Sequence, residues 1–271
     1  MEVRGVSDVL RTAALAAGLF LVAQGVPEAA FGKERVGYAY SLDNGELLYK
    51  ELHETRAREG RPATGRVTYR DTDGRVIAEK TLDYRENPLA PDFHLHMPLV
   101  DYQEGLRTSR GAREVYYQPA SGEKASREVP VERRLVADAG FDRLIEGRLD
   151  DLSAGDPLTF DFLVPSRLEA YAFQAVKAGE TEIRGKPAVH VRLEPANPFF
   201  RLIAGGVDVF YHRESGKLLR YKGLSNLRDA DGNNLRVQVE FARDGKGLPE
   251  QLSLPAEPEE PGDTEYGPRV R

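Results

Sequence analysis

The sequence predicts a mainly β protein: one strongly curved antiparallel sheet, a half-barrel of about eleven strands, with one or two helices on its concave side. Three observations carry that expectation. Apolar and polar residues alternate with period two in one segment after another, which gives each strand a buried and a wetter face, as in antiparallel sheet. Glycine-bearing pairs that tolerate φ > 0 separate these segments at hairpin spacing. Helical spacing is sparse.

Bulk composition fits a soluble globular domain and excludes several classes. The chain has 271 residues, 44 acidic and 38 basic, for a formal net charge of −6, with Cys 0 and Trp 0. Without cysteine there is no disulfide scaffold, thiolate zinc site or cysteine nucleophile. Mild acidity gives no support to nucleic-acid binding.

Residues 1–30 read as a secretory signal peptide. Arg4 and Arg11 precede the apolar run Thr12–Ala23, which is too short to span a bilayer comfortably, and small residues follow it. Glu2 and Asp8 offset both arginines, so an uncleaved anchor is the other reading. The compartment implied is the periplasm or the exterior, with no integral membrane span after cleavage.

The folded domain is expected over residues 33–247. Val36, Tyr38, Tyr40 and Leu42 share one face, Asn44-Gly45 turns the chain, and Leu47–His53 returns. Similar turns fall at Asp73-Gly74, Ser121-Gly122, Arg184-Gly185, Ser215-Gly216 and Asp231-Gly232. Between them lie alternating sets such as Phe93/Leu95/Met97, Phe160/Phe162/Val164, Val189/Val191/Leu193 and Val237/Val239/Phe241. Phe141, Leu144, Ile145, Leu149 and Leu152 have helical spacing and predict one helix over about Ala139–Leu152, with Asp138 as N-cap and Gly155 as stop. Asn197-Pro198 followed by Phe199–Ile203 predicts a short helix or lid. Residues 248–271, rich in proline and acids, read as a disordered tail.

No constellation is diagnostic of catalysis. His94-x-His96 puts two imidazoles on one strand face, but Phe93, Leu95 and Met97 are the core-facing set, so both histidines look outward and no third ligand is placed. Asp229-x-Asp231-x-Asn233 with Glu240 has calcium-loop spacing, yet the position that needs glycine is Asn234 and a strand follows, so a hairpin tip is the simpler reading. There is no nucleophile elbow and no phosphate-binding glycine loop. The expectation is therefore no enzyme activity, no metal and no cofactor.

The run Val209–Tyr221, with its Ser-Gly turn, then Asp231-Gly232 and the strand Leu235–Phe241, is similar to the C-terminal meander of periplasmic lipoprotein-carrier-like domains and their uncharacterised relatives. Gly45–Tyr49 and Gly74–Tyr84 resemble segments of unannotated secreted bacterial proteins. The resemblance covers residues 35–242 in outline. It implies an incomplete barrel plugged by helices, with an apolar interior and a lipid or lipoprotein acyl chain as partner. It carries over no functional residue.

The aromatics Phe160, Phe162, Tyr171, Phe173, Phe199 and Phe200 are the candidate walls of an apolar cavity, with Arg167 and Arg201 at its rim. The expected function is binding or carriage of an apolar ligand in the cell envelope. The alternative is a structural or protein-interaction module with a fully packed core.

Overall fold

The computed structural model describes residues 33–130, 134–197, 206–242 and 247–252. Residues 1–30, expected to be a signal peptide, Phe199–Ile203 and the tail beyond Leu252 lie outside the described residues.

Fifteen strands form one sheet among the described residues, not eleven. The first eight are β1 (Lys33–Ser41), β2 (Leu47–Arg58), β3 (Arg61–Asp71), β4 (Val76–Asp83), β5 (Asp92–Met97), β6 (Tyr102–Ser109), β7 (Ala112–Gln118) and β8 (Ala125–Val129). After β9 (Leu135–Val136) come two helices, α1 (Gly140–Glu146) and α2 (Leu149–Ala154). The second run is β10 (Leu158–Val164), β11 (Glu169–Ile183), β12 (Lys186–Pro195), β13 (Val207–His212), β14 (Leu218–Arg228) and β15 (Asn234–Ala242). Each run is a meander of hairpins. They join where β1 pairs with β15 from Val36↔Ala242 to Ser41↔Val237, so β8 and β9, neighbours in the chain, are the two outer strands. All pairings are antiparallel except β9 with β10.

The sheet is curled on itself. Tyr102 on β6 and Arg228 on β14 stand seven strand positions apart in the sheet order. In a flat sheet that is about 33 Å at roughly 4.7 Å per strand. Yet Arg228 Nη2 donates to the Tyr102 hydroxyl at 3.0 Å. The 3-10 turn Pro165–Arg167 after β10 likewise packs against β6 and β7. Curling hides the inner face, which carries the core: Val67, Leu82, Phe93, Leu106, Val115, Val191, Val209 and Val239 are all buried.

Period-2 alternation places these residues, with one inversion. On β1 the inner face is Gly37, Ala39 and Ser41; Val36, Tyr38 and Tyr40 face out. A Cβ on Gly37 would stand 2.8 Å from Val239 Cγ1, so the inner face must be small there. Tyr40 is buried from the other side, its hydroxyl donating to the Pro249 carbonyl at 2.7 Å. Residues 249–252 return to the β1–β2 hairpin, where Leu252 N donates to Gly45 O at 2.9 Å. Gly45 has φ +76°, and a Cβ there would meet the Leu252 carbonyl oxygen at 2.4 Å.

The single helix expected over Ala139–Leu152 is broken in two. Gly147 ends α1, and Arg148, with φ −129° and ψ 17°, starts α2 outside helical geometry. Gly155 stops α2 in the left-handed region, as expected. Asp138 is not the N-cap: that position is Ala139, because the Asp138 side chain is engaged elsewhere. Both helices lie on the concave side, with Ile145, Leu149 and Leu152 in the core cluster. Asp142 of α1 receives the Tyr211 hydroxyl at 3.0 Å and pairs with Arg35 at 3.5 Å, tying the helix to β13 and β1.

A cavity with one apolar and one polar wall

The curled sheet is not filled by its own side chains. A cavity of about 830 Å³ remains between its two runs of strands.

One wall is apolar and comes from the second meander. Phe160 and Phe162, two residues apart on β10, share the inner face, and Phe173 stands opposite Phe160 in register on β11. The Phe160–Phe173 ring centroids are 6.2 Å apart and the Phe162–Phe173 centroids 5.7 Å, the spacing of offset and tilted aromatic pairs. Leu193, Val207, Val237 and Phe241 extend this wall.

The facing wall is polar and comes mostly from the first meander. Lys80 on β4 is turned inward between Ala78 and Leu82, and its Nζ sits 2.8 Å from Asp138 Oδ2 and 3.1 Å from Oδ1. Their side chains are 9% and 2% exposed. Burial works against the Lys80 ammonium, but Asp138 and Tyr69 together outweigh it and hold the Lys80 pKa above its ordinary value. Asn226 Nδ2 on β14 also donates to Asp138 Oδ2, at 2.8 Å, so the segment leading into α1 is held from both sides of the cavity.

His53 on β2 pairs with Glu51 through Nε2 and Oε2 at 2.7 Å. Burial lowers the imidazole pKa, with the Glu51 hydrogen bond opposing. Glu104 on β6 is buried; burial raises its pKa, with the hydrogen bond from the Tyr102 hydroxyl at 2.5 Å opposing. The Arg228 guanidinium lies 4.5 Å above the Tyr102 ring. Tyr49 and Ser225 join by their hydroxyls at 2.8 Å.

Of the residues expected at this site, Phe160, Phe162 and Phe173 line the cavity. Tyr171 stands opposite Phe162 on β11, half-buried, but it is not in the lining; its hydroxyl donates to Glu169 at 3.3 Å. Arg167 is exposed at the end of the 3-10 turn, and it is Pro165 and Ser166 of that turn that meet the cavity. Phe199, Phe200 and Arg201 lie outside the described residues. Sequence reasoning missed the polar wall. Its signal was present as ionisable residues at core register, Lys80 between Ala78 and Leu82 and Glu104 between Tyr102 and Leu106.

His94 and His96 stand on the outer face of β5, with His94 Nδ1 2.7 Å from the Tyr116 hydroxyl. Asp229 closes the β14–β15 hairpin by accepting from the Asp231 and Asn233 amides at 3.0 Å and 2.8 Å. Glu240 is held instead by Arg184 and Arg220.

No family model matches the chain, and no curated protein does. Solved structures similar to it include a β-barrel-like protein of the domain of unknown function DUF1849 from Brucella abortus. That match has TM-score 0.48 and 9% identity, over 78% of this chain and 95% of that one. A putative outer membrane lipoprotein-sorting protein domain from Vibrio parahaemolyticus matches with TM-score 0.26 and 8% identity, over 80% of this chain and 86% of that one. A DUF1329 family protein from Desulfovibrio piger matches with TM-score 0.26 and 11% identity, over the same shares, 80% and 86%.

Proposed function

We propose that the protein binds a lipid or acyl chain in the concavity of its curled sheet, and that it works in the cell envelope. The observation that carries the reading is the 830 Å³ cavity with its Phe160/Phe162/Phe173 wall. That volume falls within the roughly 300–1,000 Å³ of small-molecule sites. Each methylene moved from water into such a space contributes about 0.8 kcal/mol. The alternative, an interaction module, requires a filled interior. The reading is of binding rather than catalysis; within the polar wall Lys80 is paired with Asp138 and His53 with Glu51. The envelope assignment rests on the Thr12–Ala23 run. No helix among the described residues is long and apolar enough to cross a membrane.

The test is titration of delipidated protein with a fluorescent fatty-acid probe. Saturable binding is expected, weakened by about tenfold or more in Phe173→Asp, where a carboxylate replaces a ring in the apolar wall. Circular dichroism confirms that the variant folds. No binding by the wild type up to probe solubility overturns the reading in favour of the interaction module.

A further inference from the structure

Among the described residues, the polar wall contains a half-buried cation that no carboxylate of the protein pairs with. Among the cavity-lining cations, Lys80 is paired with Asp138, Arg35 with Asp142 and Arg143 with Glu146, while Arg66, Lys186 and Lys217 are exposed to solvent. Arg228 lines the same cavity and has no carboxylate partner among the described residues. Its Nη1 donates to the Gly232 carbonyl at 2.9 Å and its Nη2 to the Tyr102 hydroxyl at 3.0 Å. Its Nε is buried and donates to nothing. A guanidinium has five N–H donors in a planar fork, so most of this one's capacity is unspent.

An uncompensated charge beside an apolar space is costly unless something pairs with it. The nearest acid by bonding is Glu104, but it is reached only through the Tyr102 hydroxyl. Burial raises the Glu104 pKa, and the Tyr102 hydrogen bond and the more distant Arg228 charge oppose it.

We propose that Arg228 anchors the anionic head of the bound ligand, so that the ligand class is an acidic single-headed amphiphile, a fatty acid or alkyl phosphate, with its chain along the phenylalanine wall. This rests on the cavity being a lipid site. The head pairs with the guanidinium from inside the cavity, and the stack on Tyr102 holds the fork in place. Neutral esters of the same chain gain the apolar contact only.

The experiment displaces the fluorescent probe with a long-chain fatty acid, its methyl ester and the alkyl phosphate of the same chain, on wild type and Arg228→Gln. On the wild type, at least one acid is expected to compete about tenfold or more tightly than the ester, the worth of a hydrogen-bonded charge pair. The stronger of the two acids names the head group. Arg228→Gln is expected to erase that preference while leaving the ester unchanged. Equal competition by acids and ester on the wild type, a comparison that needs no variant, overturns the anchor and leaves the lipid site standing. A preference that persists in Arg228→Gln overturns it too. Failure of every compound to bind overturns the lipid site itself.

Discussion

Lys80 and Asp138 meet within the concavity, with side chains largely shielded from solvent. Taking two charges out of water costs several kcal/mol each, so the pair holds the fold only while both partners remain. Asp138→Asn is expected to cost about 3–5 kcal/mol, since it strands the Lys80 ammonium. Adding Lys80→Met should recover part of that loss, and a double variant less stable than Asp138→Asn, measured by urea unfolding, would contradict the pairing. Glu104 makes a second test, with a sign set by its raised pKa. A carboxyl that binds its proton more tightly when folded contributes most stability below its unfolded pKa, and that contribution is lost as pH rises through the folded value. Glutamine does not titrate. Glu104→Gln should therefore match the wild type in acid and gain on it in melting temperature as pH rises above the ordinary glutamate range. A gap that shrinks with rising pH would reverse the assignment. His53 runs the other way: its imidazole pKa is lowered, so charging it below the ordinary histidine value opposes folding.

At the scale of elements, what was legible in the sequence was whatever a local rule governs. All six glycine-bearing turn pairs lie in hairpin connections, because φ > 0 is required there whatever the surroundings. What was not legible depended on partners distant in the chain. β6 was missed because its inner face carries Glu104, which breaks the apolar alternation and accepts from the Tyr102 hydroxyl. β8 was missed because four of its five residues are exposed, and β9 because two residues make no period. The helix was read as continuous because Gly147-Arg148 does not disturb the apolar spacing, although it breaks the backbone. The cavity's aromatic wall was legible as residue types, and its polar wall only as exceptions. Where α1 begins, Gly140 fits against the Leu89 carbonyl so closely that a Cβ would stand 1.8 Å from its oxygen. Leu89 O also accepts from Ala137 N at 3.0 Å, so it is not free to retreat. Gly140→Ala is expected to destabilise the protein by about 1–3 kcal/mol, the cost of overpacking, and a neutral effect in thermal melts would show that the contact yields.

Across the whole molecule, the two meanders are not separate domains, although each is local in the chain and nearly half the folded part. Each would leave a long unpaired edge alone: β1 on one side of the seam, β15 on the other. Unpaired edges of that length invite aggregation. The core is shared as well, since Leu95 and Val115 of the first run belong to one cluster with Val191 and Phe241 of the second. Asp138 joins Lys80 of the first to Asn226 of the second, and Arg228 joins the second to Tyr102 of the first. Chains beyond about 100–150 residues commonly unfold through intermediates. Here shared core and shared edge oppose that tendency, because neither half keeps its buried surface when the other opens. The chain lacks tryptophan, so a single introduced one reports on its own half. Tyr117→Trp reports on the first meander and Phe162→Trp on the second. Their fluorescence transitions in urea should coincide with each other and with the loss of far-ultraviolet circular dichroism. Two resolved midpoints, with either half retaining strand signal after the other has opened, would show that the β1–β15 seam parts before the core does.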